Sequence, residues 1–315
     1  MIAFGPVPSR RLGRSLGINN IPPKICSFAC VYCQLGRTLK MQVERRAFYE
    51  PENVLRDVLD KVEKAIESGE SIDYLTFVPD GEPTLDVNLG REIDLLAPLD
   101  IKRAVISNSS LMWRQDVRDD LMKADWVSLK VDAVEEGVWR QVDRPHGSLE
   151  LAAVLDGMTE FAESFSGELV TETMLVRGVN DGADCVGEIA DFLARLKPAR
   201  AYLAIPTRPP AEVWVRPPRE EAINRAYQIL SDKVDHVEYL IGYEGNAFAF
   251  TGNVEEDLLS ITSVHPMRED AVCEFLERAG AGWPTVRWLV ARDQLVKMEY
   301  DGHRFYMRKL RSRDG

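Results

Sequence analysis

Helical and extended hydrophobic periodicities alternate through the first 250 residues of this 315-residue chain. Leu55, Val58, Leu59, Val62, Ala65 and Ile66 fall at helical spacing, and DYLTFV (73–78) then reads as a strand. The same alternation predicts further helices at 88–98, 114–123, 134–141, 148–163, 183–196 and 219–231. It predicts strands near 103–107 and over WVSLKV (126–131), ELVTETMLV (168–176), AYLAIP (201–206) and HVEYLI (236–241). Repeated βα units imply a parallel sheet with helices outside, because parallel strands need crossover connections. Six or seven units are fewer than a closed eightfold barrel needs. The expectation is an α/β chain built on a partial (β/α)6 barrel, with its site at the C-terminal ends of the strands.

The pattern changes after residue 252. Segments 255–264, 268–279 and 284–293 read as three short helices, and LVKMEYDGHRFYMRKL then alternates about Asp301-Gly302, a hairpin signal. Three helices and a hairpin predict a small winged helix-turn-helix-like domain over 253–315, after a barrel over 1–252. Residues 254–315 hold ten Lys/Arg against eleven Asp/Glu, but Arg287 to Arg313 hold eight basic residues against three acidic. That local excess points to RNA or protein contact by the last helix and wing. The proline-rich loop 208–218 reads as a rigid surface connection.

Composition removes whole classes. Hydrophobic residues at 45% exclude a disordered chain, and no apolar run reaches 18 residues, so no membrane span is expected. The N-terminus lacks a secretory pattern, which points to the cytoplasm. A net charge of −12 argues against binding nucleic acid through the whole surface.

The five cysteines sharpen the reading. Cys26, Cys30 and Cys33 form C-x3-C-x2-C, while Cys185 and Cys273 stand alone on helices and read as small buried apolar residues. This is no disulfide framework. Three thiolates on one loop can face a common metal centre. Structural zinc and iron–sulfur sites usually take four ligands, and the four histidines are scattered, so one metal position stays open to a ligand.

C-x3-C-x2-C, with Tyr32 before the third cysteine, resembles the radical S-adenosylmethionine (SAM) superfamily. The resemblance implies a 4Fe–4S cluster on Cys26, Cys30 and Cys33, with SAM on the fourth iron. Reductive cleavage of SAM would yield a 5′-deoxyadenosyl radical that abstracts hydrogen from a substrate. Tyr32 would place its backbone by adenine. Pro79-Asp80-Gly81-Glu82-Pro83-Thr84-Leu85 is similar to the family's GGE segment, with Asp80 in place of the first glycine. Gly81 and Glu82 would thus hold the methionyl ammonium. Ser107, Asn108 and Ser128, at predicted strand ends, would serve the carboxylate or ribose. Lys130, Asp132, Arg177 and Asn180 are further candidates for SAM or substrate. Alternation turns Ser128, Lys130 and Asp132 the same way. None of these is assigned a catalytic role.

GPVPSRRLGRSLGINNIPPKICSF, FVPDGEPTL, DRPHG, LVRGVND and TRPPAE resemble a subgroup grouped with wyosine-synthesising tRNA enzymes. Those enzymes carry a second cluster, and this chain has no cysteine before Cys26 to hold one. The substrate expected is therefore an RNA base or a small metabolite, and the expected reductant is a flavodoxin or ferredoxin. Two alternatives stay open: a peptide- or protein-modifying enzyme, and a cluster- and SAM-sensing regulator that binds DNA through the winged helix. Arg10, Arg11 and Arg14 read either as an anion-binding entry on the open barrel face or as a salt-bridged hairpin.

Overall fold

The computed structural model describes residues 2–242, 245–246 and 248–309. Arg311 and Arg313 of the basic C-terminal run lie outside the described residues. The main sheet has eight strands and curls into a half-barrel. In spatial order these are β1 (Ala3–Ser9), β2 (Gly13–Ile18), β3 (Tyr74–Phe77), β4 (Lys102–Ser107), β5 (Trp126–Lys130), β6 (Glu168–Met174), β7 (Arg200–Ala204) and β8 (Val237–Leu240). Spatial order equals chain order. From β2 to β8 every pairing is parallel, and only β1 runs antiparallel, against β2.

Seven helices cover this sheet: α1 (Pro51–Glu67), α2 (Leu89–Leu96), α3 (Gln115–Leu121), α4 (Glu136–Val142), α5 (Leu151–Ser164), α6 (Ala183–Leu196) and α7 (Glu220–Ser231). Each lies within a few residues of its predicted range. The periodicity explains why: Val54, Val58 and Val62 of α1 bury one stripe, and so do Ile189, Ala190, Leu193 and Leu196 of α6. Apolar β-strands such as Trp126–Lys130 are buried on both faces, as a covered parallel sheet requires.

The hairpin β1–β2 does not show in the hydrophobic pattern. Pro6 and Pro8 interrupt β1, a place open to proline only because β1 is the sheet edge and its register shifts between Phe4 and Val7. The hairpin also settles the arginines. Its turn lies at the N-terminal ends of the strands, opposite the expected site. Arg11 reaches from there into the half-barrel, 2.5 Å from Glu172 Oε2 and 5.8 Å from the ring centres of both Trp126 and Tyr202. Arg14 pairs with Glu70. Arg11 makes its ion pair inside the half-barrel and Arg14 makes one with the loop after α1, so neither guards the open face.

Beyond the sheet come α8 (Val254–Thr262), a two-residue strand (Met267–Arg268), α9 (Glu269–Arg278), α10 (Trp283–Ala291), β9 (Leu295–Tyr300) and β10 (His303–Arg308). Asp301 and Gly302 turn the β9–β10 hairpin with φ of 48° and 74°, the backbone that Asp-Gly favours. This C-terminal unit is docked on the barrel. Phe4 and Val7 of β1 share a core with Leu258, Phe275, Leu289 and Leu295. Lys61 of α1 meets Asp257 of α8 at 2.8 Å in a buried pair, and Tyr300 donates to Pro206 O at 3.2 Å. Cys185 packs against the main core, as expected. Cys273 is exposed on α9, which corrects its reading as a buried apolar residue. No helix among the described residues is long and apolar enough to cross a membrane.

Candidate functional site

The cysteine loop sits at the C-terminal end of the half-barrel. Backbone bonds fix it from two directions. Ala29 N donates to Asp143 O at 3.1 Å and Val31 N to Val142 O at 3.0 Å, which ties the loop to the end of α4. Glu82 N donates to Ile25 O at 3.2 Å, which ties it to the turn after β3. Within the loop, Cys33 N bonds Cys30 O and Gly36 N bonds Cys33 O, both at 3.1 Å, so successive tight turns carry the thiols.

Burial raises all three thiols. Cys26 rises to about 12, with the Glu82 charge adding to burial, and Cys30 and Cys33 also rise. Cys26 feels the charge of Cys33, and Cys30 feels both others, so the three sulfurs share one neighbourhood. Desolvated thiols clustered this way need a cationic metal centre to become thiolates. Three soft donors, with neither remaining cysteine beside them, fit a 4Fe–4S cluster that keeps one iron open.

The turn after β3 is shaped against this loop. Gly81 has φ +154°, and a Cβ there would lie 2.0 Å from Ile25 O. The Glu82 carboxylate is filled from within the chain. It accepts from Thr84 N at 3.1 Å, Thr84 Oγ1 at 2.6 Å, Ser107 Oγ at 2.8 Å and Asn108 N at 2.7 Å. Asp80, the departure from the family pattern, pairs with Lys24 Nζ at 3.1 Å, and both charges act on Cys33. Asn108 reaches further, donating to Cys26 Sγ at 3.4 Å and Ser27 Oγ at 3.0 Å.

A buried polar layer lies below. Lys130 Nζ is 2.6 Å from Glu172 Oε1, 4.0 Å from Asp132 Oδ1 and 4.8 Å from the Tyr32 ring centre. Tyr32 OH hydrogen-bonds Asp132, and also donates to Asp143 Oδ1 at 3.2 Å. Cys30 Sγ donates to the same Asp143 oxygen at 3.4 Å. Burial works against the Lys130 charge, yet Asp132 and Glu172 outweigh it and raise its pKa. Burial opposes ionisation of Glu172, but Lys130 and Arg11 together hold it down at about 2.

The structure therefore gathers Tyr32, Gly81, Glu82, Ser107, Asn108, Lys130 and Asp132 around the cysteine loop. Ser128 sits deeper, 3.3 Å from Arg11 Nη1 on the floor. Asn180 is a buried strut: it accepts from Val176 N at 2.7 Å and donates to Asp132 O at 2.8 Å. Arg177 is exposed and bonds Pro217 O at 2.8 Å, outside the half-barrel. Sequence reasoning did not single out Asp143, Glu172 or Lys24. Glu172 was visible as a charged residue in the middle of a largely buried strand, but its register opposite Lys130 needed the sheet. Asp143 lies inside DRPHG with nothing local to mark its contact with Cys30.

Residues 20–193 match the sequence signature of the radical SAM superfamily. The chain belongs to that superfamily. It is 48% identical to UPF0026 protein MJ1312 of Methanocaldococcus jannaschii, over 99% of this chain and 98% of that one. Among solved structures, a radical SAM methyltransferase from Sphaerobacter thermophilus covers 72% of this chain and is itself covered over 66%, with a TM-score of 0.55 and 18% identity. TYW1 with a bound lysine–pyruvate adduct covers 70% and is covered over 74%, with a TM-score of 0.52 and 17% identity. At such identities these two show the shared fold. Members of the superfamily use a 4Fe–4S cluster and SAM, and this chain is a radical SAM enzyme.

Proposed function

We propose that the chain abstracts hydrogen from an RNA base or a small metabolite presented at the open end of the half-barrel. The observation that carries this is the union of three half-buried thiols on one loop with a polar layer directly beneath them. Cys26, Cys30 and Cys33 would hold a 4Fe–4S cluster, which would supply the electron for reductive cleavage of SAM. The remaining steps belong to the chain's own residues. Gly81 and Glu82 shape the turn that receives the methionyl ammonium, with Glu82 acting through Thr84, Ser107 and Asn108. Asn108 and Ser107 border the carboxylate and ribose positions, and Tyr32 sets the loop backbone by adenine. Lys130 and Asp132 form the floor on which the substrate rests, and Glu172 and Arg11 hold that floor in place. Ser128 and Asn180 support the site from outside contact with SAM. A flavodoxin or ferredoxin serves as reductant. The barrel of 1–252 and the C-terminal unit of 253–315 act as two functional parts in the cytoplasm, the second a winged-helix-like module.

The test is anaerobic. The reconstituted protein is given SAM and dithionite, and 5′-deoxyadenosine is measured with and without bulk cellular tRNA. Cleavage raised several-fold by tRNA supports an RNA substrate; cleavage unaffected by it directs the search to metabolites. No cleavage by a cluster-loaded protein overturns the reading.

A further inference from the structure

The turn that follows β4 is strained at one residue. Ser109 has φ +70° and is 1% exposed, a left-handed backbone that a residue with a side chain adopts only where its surroundings hold it. Here they do. Ser109 N donates to Ser107 Oγ at 3.0 Å, and Ser109 Oγ donates to Lys130 O at 3.0 Å, which ties the turn to the end of β5. Asn108, the residue before it, is fixed through its own N–H, which donates to Glu82 Oε2 at 2.7 Å. The turn thus aims one side chain, that of Asn108, at the cysteine loop.

The partners of that amide decide which way round it lies. Ser110 N donates to Asn108 Oδ1 at 3.0 Å, and a backbone N–H can only donate, so the oxygen has to face it. Nδ2 then faces Cys26 Sγ at 3.4 Å and Ser27 Oγ at 3.0 Å. An amide nitrogen carries two hydrogens, and these two acceptors take both. Neither hydrogen is left for the carboxylate or ribose of SAM. Among the described residues, Cys26 is the one member of the three-cysteine loop that receives a side-chain N–H. Cys30 Sγ instead donates to Asp143 Oδ1 at 3.4 Å, and beside Cys33 the charges of Lys24 and Asp80 act in opposite senses.

The sulfur that Asn108 faces is the atom that would ligate iron. Reduction adds one electron to a cluster, and the added negative charge spreads onto the ligand sulfurs. A donor aimed at such a sulfur stabilises the reduced form more than the oxidised form, which raises the potential. The buried Glu82 carboxylate bears on the same sulfur in the opposite sense. Asn108 counters it twice, with its backbone N–H on Glu82 and its side chain on Cys26.

We propose that Asn108 is a positioning residue for the cluster: its side-chain amide, donating to Cys26 Sγ, raises the potential at which the cluster accepts its electron. The proposal rests on the reading of Cys26, Cys30 and Cys33 as cluster ligands, and it assigns the Asn108 side chain to the cluster and not to SAM.

The test uses the full chain, reconstituted anaerobically and held without SAM. Stepwise reduction with dithionite at measured potentials, followed by electron paramagnetic resonance of the reduced cluster, reads the potential. Asn108→Leu keeps the approximate size and removes both N–H groups. Its cluster should be roughly tenfold harder to reduce, a fall of about 59 mV for a one-electron couple. Iron and sulfide are measured in parallel, because a merely structural Asn108 would change the loading and leave the potential of the loaded cluster where it is. An unchanged potential overturns the proposal. So does a shift that emerges only once SAM is added, which would return the amide to SAM. A second readout needs no variant. With asparagine side-chain amides labelled with nitrogen-15, pulsed resonance of the reduced cluster in the unaltered chain should show a nitrogen coupling that changes with the label; no such coupling overturns the proposal. An unaltered chain that loads its cluster but cleaves no SAM would defeat the hydrogen-abstraction reading, while both of these readouts would still decide the role of Asn108.

Discussion

Lys130 Nζ lies 2.6 Å from Glu172 Oε1, on neighbouring parallel strands whose register puts the two residues directly opposite. The pairing keeps Lys130 protonated at the base of the site. An amine must lose its proton before it attacks a carbonyl, and here Asp132 and Glu172 keep the proton on. Lys130 should therefore resist imine formation. Incubation with an α-keto acid and cyanoborohydride at neutral pH, followed by peptide mass mapping, should leave Lys130 unmodified. Glu172→Gln should make it more reactive. Adduct on Lys130 in the unaltered chain would contradict this account.

The same pair governs stability. Glu172 answers two cations at once, Lys130 and Arg11, and both are largely buried. Removing one member of a buried ionic group leaves uncompensated charge and costs about 3–5 kcal/mol. Glu172→Ala should lower the urea midpoint accordingly. Glu172→Met combined with Lys130→Met should recover part of the loss, because hydrophobic isosteres need no counter-charge. A double variant no more stable than Glu172→Ala would count against ionic coupling.

Gly81 offers a steric test of how the turn after β3 seats the cysteine loop. A methyl at Gly81 meets the carbonyl oxygen of Ile25 at 2.0 Å, and the backbone there is at φ +154°. Gly81→Ala should displace Ile25 and with it Cys26, while the rest of the barrel folds. Reconstituted protein should hold well under half the iron and sulfide of the unaltered chain, with unchanged far-UV circular dichroism. Gly187→Ala, within α6 and with nothing near its would-be Cβ, should load fully and gain about 0.5–1 kcal/mol. Full loading of Gly81→Ala would show that the turn does not position the cluster loop.

Much of this architecture was legible in the chain itself. The βα alternation located six strands and their helices because both faces of a parallel sheet are buried, which leaves nearly continuous apolar runs. Asp301-Gly302 located the C-terminal hairpin, since only a few residue pairs tolerate that backbone. The cysteine spacing located the loop. The β1–β2 hairpin stayed hidden because Pro6 and Pro8 erase the strand signal at an edge. The roles of Glu172 and Asp143 stayed hidden for another reason. Their partners, Lys130 and Cys30, are supplied by sheet register and by a loop docking on α4, and neither contact is local in sequence. The glutamate of the GGE-like turn shows the same limit: spacing marked Glu82, but only the fold revealed four donors already on its carboxylate.

Glu92 gives the pH dependence. It sits on α2 with 1% exposure, neither carboxylate oxygen has a hydrogen-bond partner within 3.5 Å among the described residues, and only the nearby Asn20 amide favours its charge. Burial, aided by the charge of Asp86, lifts it to about 9, while an unfolded glutamate titrates near 4.5. Asp86 is itself lifted by burial to about 7. The native state thus binds more protons than the unfolded state between these values, so stability falls as pH rises. The loss should begin above pH 4.5 and continue to about pH 9. Glu92→Gln keeps the neutral shape and removes the titration. It should be more stable than the unaltered chain at pH 8, match it closely near pH 5, and show a flatter profile between. Chemical denaturation across that range measures it, and an unchanged slope in Glu92→Gln would place the pH dependence elsewhere.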